Sequence, residues 1–572
     1  MPTTAQTLAD ALHAAGIDLV FGMPGGEVVA VLEAMRQRGI RFELMHHETS
    51  AVFAADAYAR STGGIGCVLT TLGPGAMNAV AGVAHAWLDR APVVVITAQK
   101  PAELLPDYTH QVVDLHAIFA PITKRTVAVT AENAAAILPE TIALTRQGRP
   151  GPVHLQISNE EAVREVGSKQ LSVVSGGAIA GDALELLSKG DKLQVAGTDA
   201  SSTQESEKPG DALPHSQFTI HHSLFTISSS HPFFSAKRPV ILTGLGLEPD
   251  APYAALRELA EAANAPVIVL PKAKGALPDD HPLSAGTLGL TRTDPVYEIL
   301  DEADCVLAVG FDVVELVKKW EHPAPLLWIA NWANEDPVLP AAAEYVGPIA
   351  PVLQQLSDNN FATDPGWGAL RVQQLREKLA ARTLPTPEAG HILPQSYLAA
   401  MRRHLPADGL LAVDVGSHKI FSSLEWPALH PNRFYLSNGL SCMGFALPAA
   451  IGAALARPGE SVLCLIGDAG LAMCLGELNV LARLKLPVTV VVPVDNAIDL
   501  IRAHQKRQGA PIHGTEFPAP DFCAIAAAHG IPSAKVTTDA ECDAALARAI
   551  ASGGPFLVEA HIDPIGYPTT PR

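Results

Sequence analysis

Short, β-branched apolar runs alternate with helix-length segments along most of this chain, and that alternation limits the fold more than any other feature. Runs such as Ala91–Ala98 fall far below the roughly 18 apolar residues of a membrane helix. Their composition instead reads as strands buried on both faces of a parallel sheet. In the first part of the chain, Leu19–Phe21, Phe42–His46, Gly66–Thr70, Pro92–Thr97 and Pro152–Ile157 read as strands, the first ending in the turn Pro24-Gly25-Gly26. Thr7–Ala15, Thr49–Arg60 and Met77–Trp87 read as helices. A βα alternation of this kind implies an α/β, doubly wound parallel sheet.

The chain has 572 residues, enough for about three domains. The first is expected over 1–165. Ser, Thr, Gly, Asp and Gln then dominate, as in S-S-T-Q-E-S-E-K-P-G-D, so 166–236 reads as a polar, partly disordered linker or a partner-binding insert. The pattern resumes with a strand at Pro239–Thr243 and a helix at Tyr253–Ala263, defining a central α/β domain over 237–357. A second linker covers 358–390, and a third unit covers 391–572. That unit has strands at Leu410–Val413, Ser461–Ile466, Val488–Val492 and Phe556–Glu559, and helices at Gly444–Ala456, Leu475–Leu484 and Asp521–His529.

Charge and cysteine usage exclude several classes. The formal net charge of −19 leaves no electrostatic footprint for nucleic acid or anionic lipid. An anionic ligand must be held locally, by a metal, backbone N–H groups or a helix N-terminus. The seven cysteines form no C-x-x-C pair, which suits a reducing cytoplasm rather than a disulfide framework. The first residues lack the basic and apolar regions of a signal peptide.

Within the third unit, L-C-L-I-G-D-A-G runs from a strand into a turn and a helix. Gly467 and Gly470 let backbone approach a ligand, and Asp468 offers a hard oxygen. The strand V-T-V-V-V-P-V ends at Asp495-Asn496-Ala497, 27 residues beyond Asp468. A helix and a strand fit between, so both carboxylates sit at the C-terminal edge of neighbouring parallel strands, where open α/β sheets bind ligands. Two such oxygens, a backbone carbonyl and phosphate oxygens make a Mg²⁺ site; the plain alternative is two solvated loop aspartates.

This arrangement resembles the diphosphate motif of thiamine diphosphate-dependent enzymes. In that family an Asp, a later Asn and a carbonyl two residues beyond hold the metal, positions that fall here on Asp468, Asp495 and Ala497. Ala469 replaces the usual Gly, and Asp495 the usual Asn, which leaves Asn496 open as an alternative ligand. In the first domain, M-H-H-E-T-S-A-V-F-A-A-D-A-Y-A-R places Glu48 at a helix start. A lone Glu there would ordinarily just complement the helix dipole. The resemblance implies that it hydrogen-bonds the cofactor's pyrimidine ring and promotes the proton loss on which thiamine chemistry depends.

F-G-M-P-G-G, with Pro24 and Gly25, and T-T-L-G-P-G-A-M-N, with Gly73 and Asn78, resemble the family's first-domain loops. S-N-G-L-S-C-M-G-F-A-L-P-A-A-I-G resembles the segment lining the thiazolium, with Met443 as the residue that bends the cofactor, though Met443 could also fill core space. D-V-G-S-H resembles the loop reaching the diphosphate, through Val415, Gly416, Ser417 and His418. The cofactor set implied also includes Gly467, Asp468, Ala469, Gly470 and Leu500. The implied fold is three doubly wound parallel-sheet domains: pyrimidine-binding, central and diphosphate-binding.

Among family members, the chain is most similar to the large catalytic subunit of acetolactate synthase. H-Q-V-V-D-L-H-A-I-F-A-P-I-T-K puts Gln111 and Lys124 at matching substrate-side places. The flavin-bearing form's R-F-D-D-R-like run is replaced by A-V-G-F-D-V-V-E, so FAD is not expected. Arg502 and Lys506 put positive charge on the helix beside the second-substrate pocket, which suggests a polar or anionic acceptor. The resemblance implies decarboxylation of a 2-oxo acid with transfer to a carbonyl acceptor, in a homodimer or homotetramer. A non-ligating decarboxylase, a C–C lyase and a non-catalytic regulatory paralogue are the alternatives.

Overall fold

A computed structural model describes residues 1–106, 110–167, 219–221, 231–248, 251–288, 295–316, 323–334 and 339–567. Most of the expected linker at 166–236 lies outside the described residues. The architecture is α/β with three doubly wound parallel sheets, as the alternation requires.

The first sheet contains, in chain order, Leu19–Met23, Arg41–Leu44, Gly66–Thr70, Val93–Ala98, Thr126–Ala128 and Val153–Ile157. Across the sheet they run second, first, third, fourth, sixth, fifth. The last sheet contains Leu410–Val413, Phe434–Leu436, Val462–Leu465, Val488–Val494, Ser533–Val536 and Phe556–His561, and repeats that order. Among the described residues the central sheet has seven strands. Its order reverses between Pro239–Thr243 and Cys305–Val309, and Thr219–His221 adds an edge strand parallel to Ala343–Val346. Each reversal leaves a crevice at the C-terminal ends of two adjacent strands.

Two segments depart from the sequence reading. The expected linker at 358–390 carries the helix Ala369–Ala380, whose Val372 and Leu375 are buried in the central core. Trp367 ties it down by donating its indole N–H to the Pro239 carbonyl at 2.9 Å. Phe233 and Phe234, inside the expected 166–236 linker, are buried in the same domain. In both places a few apolar groups among polar neighbours suffice to dock a short helix.

The outer sheets meet through helices. Glu48–Thr62, rich in buried alanine, packs on Ala446–Ala456. A Cβ on Gly452 would sit 2.0 Å from the Ala54 carbonyl oxygen, so only glycine permits this approach. A buried polar network then joins all three domains. Asp89 accepts N–H groups of Asn438 and Gly439, at 3.3 and 3.0 Å, and pairs with Lys272 at 2.9 Å and His85 at 2.7 Å. Burial opposes protonation of His85, but Asp89 and Asp56 outweigh it and raise its pKa above the ordinary value. Buried charges of this kind add little net stability but penalise every other arrangement once formed. Here they hold the segment that leads into Met443. No helix among the described residues is long and apolar enough to cross a membrane.

Candidate active site

The C-terminal crevice opens where the strand order reverses, between Leu410–Val413 and Val462–Leu465. After the first of these strands the chain turns through Asp414, Val415 and Gly416 into the helix Ser417–Glu425. After the second it passes Gly467 into the short helix Asp468–Met473. Both helices point N–H groups at the crevice, the usual cradle for an anion. The C-terminal cofactor residues named from the sequence line this one cleft: Val415, Gly416, Ser417, His418, Met443, Gly467, Asp468, Ala469, Gly470, Asp495, Ala497 and Leu500; Asn496, Arg502 and Lys506 do not. It encloses about 150 Å³ and shares Ser417, Asp499, Leu500 and Tyr567 with an adjoining cavity of about 480 Å³.

Hydrogen bonds fix the carboxylates. Asp468 is buried; it accepts the Ala469 N–H at 2.7 Å on one oxygen and the Asn496 and Asp495 N–H groups at 2.9 and 3.3 Å on the other. This couples the two loops across the crevice. Burial, with Asp499 and Asp468 close by, pushes the Asp495 carboxyl up to about 7, against the opposing pull of Arg502. Asn496 faces elsewhere: it is exposed, its φ is 57°, and its side-chain oxygen accepts the Ala519 N–H at 3.0 Å. Asp495 therefore lines the cleft and Asn496 does not.

Packing gives the glycines a second reason. A Cβ on Gly467 would stand 3.0 Å from the His418 ring, and one on Gly470 would stand 2.2 Å from an Asp414 oxygen. His418 is buried in the wall, its pKa driven down to about 4 by burial, and its Nε2 has no partner among the described residues. Asp414, which the sequence reading passed over, accepts N–H groups of Gly444, Phe445 and Ala446 at 2.7–3.2 Å. It thereby pins the backbone just beyond Met443. Its position directly before the V-G-S-H run was the signal available.

The first-domain residues gather at their own crevice. Glu48 is buried at its helix start and accepts the Asn78 side-chain N–H at 3.0 Å. Gly75 approaches Glu48 closely, Gly73 approaches Gln111, and Gly25 approaches Thr71. Pro24 sits exposed in the same loop as Gly25. None of these residues lines the C-terminal cleft. Lys124 stands apart from both groups. Its ammonium donates to the carbonyls of Gln147 and, at 2.9 Å, Arg149, so it fastens a loop rather than facing the cleft.

Arg502 also differs from the sequence expectation. Its guanidinium is committed to Asp495 at 2.8 Å and Asp499 at 3.0 Å, so it is not a free cation for an incoming acceptor. Ser417 donates to the other Asp499 oxygen at 2.7 Å.

The donor set fits a magnesium diphosphate. Asp468, Asp495 and the Ala497 carbonyl are hard oxygens, the helix starts offer N–H groups, and the His418 Nε2 is left without a partner.

Comparison with known proteins covers most of the chain. The thiamine pyrophosphate enzyme N-terminal TPP binding domain matches residues 2–118, the central domain 233–356, and the C-terminal TPP binding domain 414–560. The acetolactate synthase large subunit of Parasynechococcus marenigrum is 30% identical over 583 residues, covering 98% of this chain and 87% of that protein. The acetolactate synthase isozyme 2 large subunit of Escherichia coli K12 is 29% identical over 570 residues, covering 98% and 95%. The thiamine diphosphate-dependent 4-hydroxybenzoylformate decarboxylase of Rhodococcus jostii RHA1 shares the fold, with a TM-score of 0.77 at 22% identity over 98% and 99% of the two chains.

Proposed function

Because the chain belongs to the thiamine pyrophosphate enzyme family, we propose that it decarboxylates a 2-oxo acid such as pyruvate and joins the remainder to a carbonyl acceptor, in the manner of acetolactate synthase. The observation that carries this reading is the cleft: two buried carboxylates, two helix starts, an unpartnered His418 nitrogen and Met443 converge at one sheet reversal. When bound, thiamine diphosphate supplies the electron sink for loss of the substrate carboxylate.

Each residue then has a task. Asp468, Asp495 and the Ala497 carbonyl hold Mg²⁺. The N–H groups of Gly416, Ser417, His418, Gly467, Asp468 and Gly470 would receive diphosphate oxygens, that of Ala469 being taken by Asp468, and Leu500 closes the wall. Met443 supports the thiazolium from its own side. Glu48, oriented by Asn78, would hold a proton at the pyrimidine ring, and Gln111, whose backbone packs against Gly73, would present its amide to the substrate. Lys124 acts by holding the loop at 147–149.

Glu48 does not line the cleft of its own chain. Met77, beside the first-domain loop, and Met473, on the helix from Asp468, are 42% and 66% exposed. Both facts support a homodimer or larger assembly in which one chain's Glu48 crevice faces its partner's cleft. The seven cysteines are all free thiols, which fits a cytoplasmic protein. The test is to incubate the holoenzyme with pyruvate and a panel of aldehydes and 2-oxo acids and weigh the products. A joined product supports the proposal. Free aldehyde alone would assign simple decarboxylation, and no turnover would assign a non-catalytic role.

A further inference from the structure

We propose that Arg502 is an internal counter-ion, a positioning residue that lets Asp495 serve where a neutral asparagine is usual. The inference rests on the cofactor reading above and extends it.

Three carboxylates crowd one corner of the cleft: Asp468, Asp495 and Asp499. A diphosphate placed beside them would meet several negative charges at short range. Arg502 answers this. Its Nη2 bridges Asp495 and Asp499, and its Nη1 lies 3.8 Å from Glu516. Asp499 is itself held from the other side by the Ser417 hydroxyl. The chain Ser417–Asp499–Arg502–Asp495 thus runs from the diphosphate-side loop to the metal-side loop.

Asp495 and Asp499 take the same nitrogen, Nη2, so what the corner requires is one positive charge at that point, which a lysine ammonium can also supply. With one oxygen held by Arg502, Asp495 is fixed in orientation and part of its charge is offset. The metal then meets a ligand closer in net charge to an amide. Burying such a carboxylate unpaired would be costly.

Charge cancellation and simple structural support predict different outcomes. Removing Arg502 leaves the corner more negative, which favours a bare cation and disfavours a diphosphate. Loss of local structure would weaken both. The experiment compares wild type, Arg502→Gln, Arg502→Lys and the Arg502→Gln/Asp495→Asn double variant. Mn²⁺ alone is titrated by electron paramagnetic resonance, and thiamine diphosphate with Mg²⁺ by calorimetry. In Arg502→Gln, Mn²⁺ should bind about tenfold more tightly and thiamine diphosphate about tenfold more weakly. Arg502→Lys should move neither by more than about threefold, and the double variant should restore thiamine diphosphate affinity to the same margin. Parallel weakening of both ligands, no change in either, or failure of the double variant to recover would overturn the counter-ion role. If wild type itself does not bind thiamine diphosphate, the cofactor reading fails instead, and the Mn²⁺ arm still reads the counter-ion.

Discussion

The central and C-terminal sheets each reverse their strand order once, yet the two crevices are finished differently. In the central sheet the protein fills its own crevice. Glu315 accepts the Leu245 N–H at 2.7 Å and the Lys272 N–H at 3.3 Å, and a Cβ on Gly244 would stand 2.6 Å from its carboxylate. The backbone donors that a ligand phosphate could use are taken by a side chain. In the C-terminal sheet Asp414 satisfies the backbone beyond Met443, but the His418 Nε2 is left without a partner and Asp468 and Asp495 face an open cleft. Buried polar groups must be satisfied by something. One sheet uses its own carboxylate, and the other is shaped for a ligand.

The first sheet, with the same strand order as the last, supplies the contrasting half-site: one buried carboxylate next to an amide, with no cluster to compensate. On the proposed reading its role is chemical rather than adhesive, which gives the largest expected effect. Glu48→Gln should lower kcat by about 100-fold or more, while thiamine diphosphate affinity changes by less than about tenfold. Steady-state kinetics beside calorimetry would show this. An unchanged kcat would remove Glu48 from the chemistry and make the two outer sheets equivalent supports.

His418→Leu sharpens the comparison at the open crevice. Its unpartnered nitrogen should gain a partner from the ligand, a hydrogen bond worth about 1 kcal/mol. Thiamine diphosphate should then bind about fivefold more weakly, with the melting temperature of the ligand-free protein little changed. Equal affinity would mean that the histidine is wall and nothing more.

The smallest effect belongs to the filled crevice. Burial pushes the Glu315 carboxyl up to about 8. A carboxyl raised in the folded state stabilises fully below its ordinary range near 4.5, and that contribution is lost as pH rises through about 8. From about pH 5 to 8 the wild type should therefore lose stability, by at most about 1.4 kcal/mol per pH unit, and the decline should level off above about pH 8. Glu315→Gln should flatten that decline in chemical denaturation and leave thiamine diphosphate affinity within about twofold. An equally steep decline in the variant would place the titration elsewhere.

Central strands were legible because they are continuous β-branched runs: Gly66–Thr70 was read with the bounds it has. Phe434–Leu436 and Ser533–Val536 escaped notice because they are short: the first is only Phe-Tyr-Leu, though buried throughout, and the second is half polar and part-exposed at the edge of its sheet. Ala134–Leu144 was hidden by Pro139 inside the helix, and Ala369–Ala380 by its charged surface. In the site, Asp468 could be named because turn chemistry and spacing are local, and Glu48 because the segment around it resembles that of a known family. The Asp495–Arg502 pair could not, because it depends on how a loop and the following helix fold back on each other. Nor could the Asp89 contacts, which join residues some 350 positions apart.

The central claim is that the C-terminal cleft binds thiamine diphosphate through a metal held by Asp468. Its most direct test is calorimetric titration of thiamine diphosphate into wild type with Mg²⁺, into wild type with EDTA, and into Asp468→Ala with Mg²⁺. The account predicts saturable binding at one site per chain in the first case, and affinity weakened by at least about 100-fold in the other two. Undiminished binding to Asp468→Ala would contradict it.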